Sequence, residues 1–169
     1  EKPIEKITVN NVFYLITILK NTSTLNFYVF KDGKMDKKSI DLSGKTFIDG
    51  ENKKTNLWDL VSRGTEFQPS LNIQNILNET PPSLTFSANK RKAYVNGSNL
   101  IFTFDENTGF TQVLNFNLND FSVEQKSYSQ SYVEETEFGG LESNSFLLSD
   151  KIVQLKLNSN LMKLSVKDL

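Results

Sequence analysis

The chain has 169 residues, 37% hydrophobic and 23% charged, and its 19 basic and 20 acidic side chains leave a net charge of -1. That length can hold one domain with a sizeable core, and charges so evenly scattered give no one-sign field to attract nucleic acid or an anionic membrane. With neither cysteine nor histidine, the chain cannot form disulfides, thiolate zinc sites, cysteine nucleophiles, Ser-His-Asp triads or imidazole acid–base pairs.

The opening EKPIEKITVNN has no basic segment followed by an apolar one, so it does not read as a signal peptide. A mature chain with its leader removed would look the same. The longest apolar run, Val12 to Leu19, is far short of the roughly 20 residues of a membrane helix. It instead begins the first of three meanders. Val12 to Leu19, a KNTST turn, Leu25 to Phe30, a KDGK hairpin and then Ile40 and Leu42 predict antiparallel strands. Both faces are apolar here, as in a sheet covered on two sides.

Segment 55–82 interrupts the alternation. Asn56 as a cap, Leu57, Leu60 and Val61 at helical spacing and Gly64 as a stop predict a short helix. Pro69, Pro81 and Pro82 then predict an irregular insertion on the surface.

The second meander places Leu100, Phe102 and Phe104 on one strand face, turns at DENTG, and places Leu114, Phe116 and Leu118 on the next. After a second turn at ND, Phe121 and Val123 begin a third strand. The third meander repeats the grammar with Phe146 and Leu148, then Val153, Leu155 and Leu157, then Met162, Leu164 and Val166. The expected core is therefore Phe102, Phe104, Leu114, Phe116, Val153, Leu155 and Leu164. Asn99 and Asn144 read as equivalent openings, and Asn11 precedes Asn99 by close to twice their separation. A repeat of roughly 40–50 residues with three or four short strands is the period of propeller blades.

Few residues carry chemistry. DENTG lacks the further oxygen ligands and distal Glu of a calcium loop and reads as a turn. The Lys90-Arg91-Lys92 run reads as a solvated loop. Glu134, Glu135 and Glu137 could pair for glycoside hydrolysis, but in a connecting loop they read as solvated. Trp58 is the sole tryptophan. It is either a core anchor of the short helix or a platform for a sugar or protein partner. Trp58, Tyr132 and Phe138 are the candidate binding residues. No catalytic, cofactor or metal position emerges, and the chain reads as no enzyme. Sequons at Asn21, Asn78 and Asn96 are what an Asn- and Ser-rich chain produces by chance.

The style of NLIFTFDENTGFTQVLNFNLNDFSVEQ, with the Asn- and Lys-rich, Cys-free composition, resembles β-propeller-type surface and periplasmic proteins of Bacteroidetes, flavobacteria especially. The likeness covers residues 83–169 and, less fully, 8–48. It implies an exported protein, periplasmic or at the cell surface, in an outer-membrane assembly such as the type nine secretion and gliding apparatus, where it would hold or plug a partner.

The expectation is a single all-β domain over 1–169, one piece of a longer protein. It is built of antiparallel meanders as partial propeller blades, with a β-sandwich as the alternative. Its expected role is structural: binding a protein partner through its loops in a membrane-associated complex, without cofactor or nucleic acid. A carbohydrate- or ligand-binding module is the alternative.

Overall fold

A computed structural model describes residues 1–62, 73–76, 89–136 and 140–169. Among these, antiparallel strands dominate and the one helix has six residues. The period-2 patterning that predicts an all-β chain is thus met.

The first sheet is the meander β1 (Lys2–Val9), β2 (Val12–Ile18), β3 (Thr24–Lys31) and β4 (Lys34–Asp41). Its hairpins are closed by residues that tolerate left-handed backbone. Asn10 and Asn11 (φ 51° and 60°) join β1 to β2, and Asp32 and Gly33 (φ 50° and 71°) join β3 to β4. Both pairs suit the two-residue turn whose twist matches that of the strands.

After β4 come a two-stranded ribbon, β5 (Phe47–Ile48) with β6 (Lys54–Thr55), and helix α1 (Leu57–Ser62). Asn56 caps the helix: its Oδ1 accepts the Asp59 N–H at 2.8 Å, and its amide donates to Asp59 Oδ2 at 2.8 Å. Gly64, the expected stop, lies outside the described residues, as does most of the expected insertion.

The second sheet has the order β11-β10-β9-β8-β7, with β7 (Gln74–Ile76), β8 (Arg91–Asn96), β9 (Asn99–Phe104), β10 (Phe110–Asn117) and β11 (Val123–Ser129). β7 runs parallel to β8 and the rest are antiparallel. The third sheet is β12 (Glu142–Leu148), β13 (Lys151–Leu157) and β14 (Met162–Asp168), all antiparallel.

Two predicted boundaries shift. Phe121 does not begin β11; it sits in the preceding loop at φ 60° and packs its ring edge-on against Phe27 at 5.5 Å. Asn99 and Asn144 are not equivalent, because Asn99 opens β9, the third strand of its sheet in chain order, whereas Asn144 lies inside β12, the first strand of the next. The matching positions are Val12, Asn99 and Lys151, each the first residue after a two-residue hairpin turn.

The three sheets stack face to face, with the second in the middle. One core joins the first sheet, through Tyr14, Ile16, Ile18, Leu25 and Phe27, to the second, through Leu100, Phe102, Phe104, Leu114 and Phe116. The Phe27 ring lies 5.4 Å from Phe116, which meets Phe102 edge-on at 5.8 Å. Leu57, Trp58, Leu60 and Val61 of α1 join the same core. A smaller core joins the other face of the second sheet, through Ile76, Tyr94, Ile101 and Val113, to Leu147 and Ile152 of the third.

Candidate functional site

Of the expected core, Phe102, Phe104, Leu114 and Phe116 are 0–1% exposed. The third sheet reverses the expectation. Leu164 is 64% exposed, Val153 and Leu155 are only half-buried, and Ile152, Gln154 and Lys156 on the opposite face are buried. Side chains alternate across a strand, so burying Ile152 and Gln154 forces the Val153/Leu155/Leu157 row outward.

The reason lies in what the second sheet offers. Its face toward the third sheet carries Lys92, Thr103 and Thr111, all 0% exposed, with Asp105 just past β9 also at 0%. Lys92 Nζ stands 3.7 Å from Asp105 Oδ2 and donates to Asn144 Oδ1. Asp105 accepts Thr111 Oγ1 at 2.6 Å on one oxygen, and the Ser145 N–H and Oγ at 2.9 and 2.8 Å on the other. Gln154 Nε2 donates to Thr111 Oγ1 at 3.0 Å and to the Tyr128 carbonyl at 2.9 Å. A carboxylate and an ammonium buried together need these partners. Ser145 and Gln154 on the polar side of β12 and β13 supply part of them, so that side faces inward, while Asn144 reaches Lys92 from the row that pairs with Leu155. Burial lowers the Lys92 pKa, with Asp105 opposing that shift.

The Lys90-Arg91-Lys92 run is therefore no solvated loop. Arg91 and Lys92 lie in β8 at 7% and 0% exposure, and Arg91 donates to Glu106 at 2.5 Å and to the Val61 carbonyl at 2.8 Å. DENTG does turn the chain, but its Asp105 anchors the second junction, a role its sequence context does not signal.

Facing outward, the third sheet shows a register-matched apolar block. Val153 pairs with Val166, Leu155 with Leu164 and Leu157 with Met162. Met162, Leu164 and Val166 are 67%, 64% and 56% exposed. At one end of the face Lys151 pairs with Asp168. A contiguous apolar surface of this kind marks an interaction site more often than chance exposure does.

At the other end of the stack, the outer face of the first sheet is mixed. Phe13 and Phe30, cross-strand partners with rings 5.7 Å apart, are each 40% exposed, and Met35 extends the row. Farther along, the Glu1 carboxylate accepts from Thr17 Oγ1 at 3.1 Å, from Asn26 Nδ2 at 2.6 Å and from the Tyr28 hydroxyl. The Tyr28 bond comes first among the effects that lower the Glu1 pKa.

Of the candidate binding residues, the structure describes Trp58 and Tyr132. Trp58 is 7% exposed in the first core, with Lys2 Nζ 5.6 Å from its ring centroid, so it is a core anchor with no ring face open to a sugar. Tyr132 is 76% exposed. Phe138 and Glu137 lie outside the described residues; Glu134 and Glu135 are exposed. Among the described residues no three carboxylates gather to hold a metal, and no helix is long and apolar enough to cross a membrane. No family profile, no curated protein and no solved structure matches the chain.

Proposed function

We propose that the chain is a non-enzymatic interaction module of an exported or outer-membrane-associated assembly, and that its three meanders are successive blades of a β-propeller. The interaction reading rests on one observation: the apolar block of Val153, Leu155, Leu157, Met162, Leu164 and Val166, left open on one face of the third sheet. A fold that spends its polar side chains on an internal junction and turns its apolar row outward is arranged to cover that row with another molecule or sheet. The partner-facing surface then lies on a sheet face, rather than on the loops that the sequence favours.

The blade reading is supported by a regularity of stacking. In the first sheet, the face holding Val9 and Val12, which flank the hairpin turn, points to the second sheet. In the second, Tyr94 and Ile101 share the face of the turn-flanking Asn96 and Asn99, and they point to the third. Each sheet thus presents the same face to its successor, as radial repetition demands.

Affinity purification from native membrane extract, with the chain and its Leu164→Glu variant as baits, tests the function. Proteins captured by the parent and lost with Leu164→Glu support it. Capture that is identical with both baits counts against the third-sheet face as the binding surface.

A further inference from the structure

We infer that Lys92 Nζ and the side-chain carbonyl carbon of Asn144 join in an intramolecular amide bond, with Asp105 as the base and ammonia as the leaving group. The bond ties the second sheet to the third covalently. It depends neither on the blade reading nor on what covers the apolar face of β12–β14.

Three side chains with complementary roles meet at the second junction. Lys92 Nζ donates to Asn144 Oδ1, so Asn144 Cγ lies one carbonyl bond, about 1.2 Å, from the contacted oxygen. Asp105 Oδ2 stands 3.7 Å from the same nitrogen, too far for a strong hydrogen bond. A second rung between the same two strands holds this approach. Tyr94 and Phe146, each two residues further along on the same side of its strand, meet edge-on with ring centroids 5.7 Å apart.

A static ion pair would leave the ammonium poorly served. Asp105 accepts from the Thr111 hydroxyl and from the Ser145 N–H and hydroxyl at 2.6 to 2.9 Å, while Lys92 leans on a neutral amide oxygen. Lys92 is 0% exposed, and burial is the largest effect on its pKa, which it lowers. Burial thus favours the neutral amine, the form of lysine that attacks carbonyl carbon.

The step balances without an oxidant or a reductant. Asp105 takes a proton from the Lys92 ammonium and leaves a neutral amine. The amine lone pair attacks Asn144 Cγ: the N–C bond forms and the carbonyl π pair moves onto Oδ1, where the Ser145 N–H at 2.9 Å steadies it. Protonated Asp105 gives its proton to the Asn144 nitrogen and takes the surplus proton from Nζ. The Oδ1 pair then reforms the carbonyl, the Cγ–Nδ2 bond breaks, and ammonia leaves with the proton on Asp105. Lysine ammonium and asparagine amide have become a secondary amide and an ammonium ion. Asn144 is only half-buried, which gives the ammonia an exit, and its loss to solvent opposes reversal. Holding the two groups in contact gives an effective concentration of about 10⁵ M or more when they are well aligned. The ion pair is thus the state in which the chain folds, and the amide is what it matures into. In a chain without cysteine, this bond ties two sheets in any redox environment.

Intact mass spectrometry on the purified, folded chain after prolonged incubation at neutral pH tests the inference. The parent should be lighter than its sequence mass by one ammonia. Trypsin should release from it a branched peptide joining residues 92–126 to residues 127–151. Lys92→Met and Asn144→Ala should each keep the full mass of their own sequences. Asn144→Ala is the milder change, because its site is half-buried, and it keeps Lys92 and Asp105 as an unlinked ion pair whose energy can be measured in that background. Asp105→Asn should link about a hundredfold more slowly; an unchanged rate removes Asp105 from the step.

A folded parent that keeps its full mass overturns the inference. So does an ammonia loss that persists in Asn144→Ala, or one that maps to the Asn96–Gly97 turn, where closure to a succinimide releases the same molecule.

Discussion

The two junctions of the stack solve one geometric problem with different chemistry. Between the first and second sheets, Phe27, Phe102, Phe104 and Phe116 interlock with aliphatic neighbours, and the contact is held by area removed from water. Between the second and third sheets, a Lys–Asp pair with its hydroxyl and amide partners is buried in the contact, beside a smaller apolar cluster. An apolar junction tolerates imprecision in proportion to the area lost. A buried charged junction is tolerated only when its partners are in place, so it fixes which face of the third sheet turns inward.

The largest expected effect breaks the apolar side of this comparison. Phe116 is 0% exposed and touches the rings of both sheets. Phe116→Ala should cost about 4 kcal/mol in chemical unfolding. A loss below about 1 kcal/mol would mean that the sheets do not depend on that ring contact.

The polar side breaks differently. Lys92→Met keeps much of the volume but strands the Asp105 carboxylate at 0% exposure, and should cost about 3 kcal/mol. The double variant Lys92→Met/Asp105→Leu removes both charges and should recover a good part of that loss. A double variant as unstable as the sum of the single ones would show that the ion pair is not a coupled unit.

These two residues also show how much was legible in the sequence. Phe116 sits in an alternating run whose apolar side could be read directly, and so do Phe102, Phe104 and Leu114. The KDGK hairpin and the Asn56 cap were equally plain, because turn and cap chemistry is local. Lys92 was not legible: beside Lys90 and Arg91 it looks like a charge run. Its burial depends on Asp105, thirteen positions away across a hairpin, and on Ser145 and Asn144 in another sheet. The same long-range pairing misled the third meander. Alternation finds the two faces of a strand but does not say which one a neighbouring sheet will cover. The residues of the candidate site, Val153, Leu155 and Leu164, are therefore visible in the sequence as one apolar face, whereas the environment of that face is not.

A smaller effect tests whether the first junction is as apolar as its core implies. Gln112 reaches from the second sheet to the β5 ribbon, where its Oε1 accepts the Ile48 N–H at 2.9 Å and its Nε2 donates to the Ile48 carbonyl at 2.7 Å. Gln125 treats Thr46 the same way, at 3.3 and 2.7 Å. Two side-chain amides thus stand in for a neighbouring strand. Gln112→Leu leaves both Ile48 backbone groups without these partners and should cost about 2 kcal/mol, with faster hydrogen exchange at the Ile48 amide. Unchanged exchange there would place the anchor at Gln125 alone.

The smallest effect concerns a half-buried charge where the first sheet meets β7. Glu5 accepts the Lys6 N–H at 2.8 Å and the Asn75 amide at 3.3 Å, yet burial outweighs both and raises its pKa. The folded state therefore favours the protonated acid. This contribution to stability is fully present below the unfolded-state pKa, and it is lost as the pH rises through the folded-state value. Glu5→Gln resembles the protonated form at every pH. It should exceed the parent in stability at pH 7, and the gap should close as the pH falls below about 4, where the parent is protonated in both states. Unfolding curves of the two proteins at neutral and acid pH give the answer. A variant weaker than the parent at pH 7 would mean that the charged bonds to Lys6 and Asn75 outweigh desolvation. The first junction would then hold a favourable charge of its own, and the contrast between the two junctions would be one of degree.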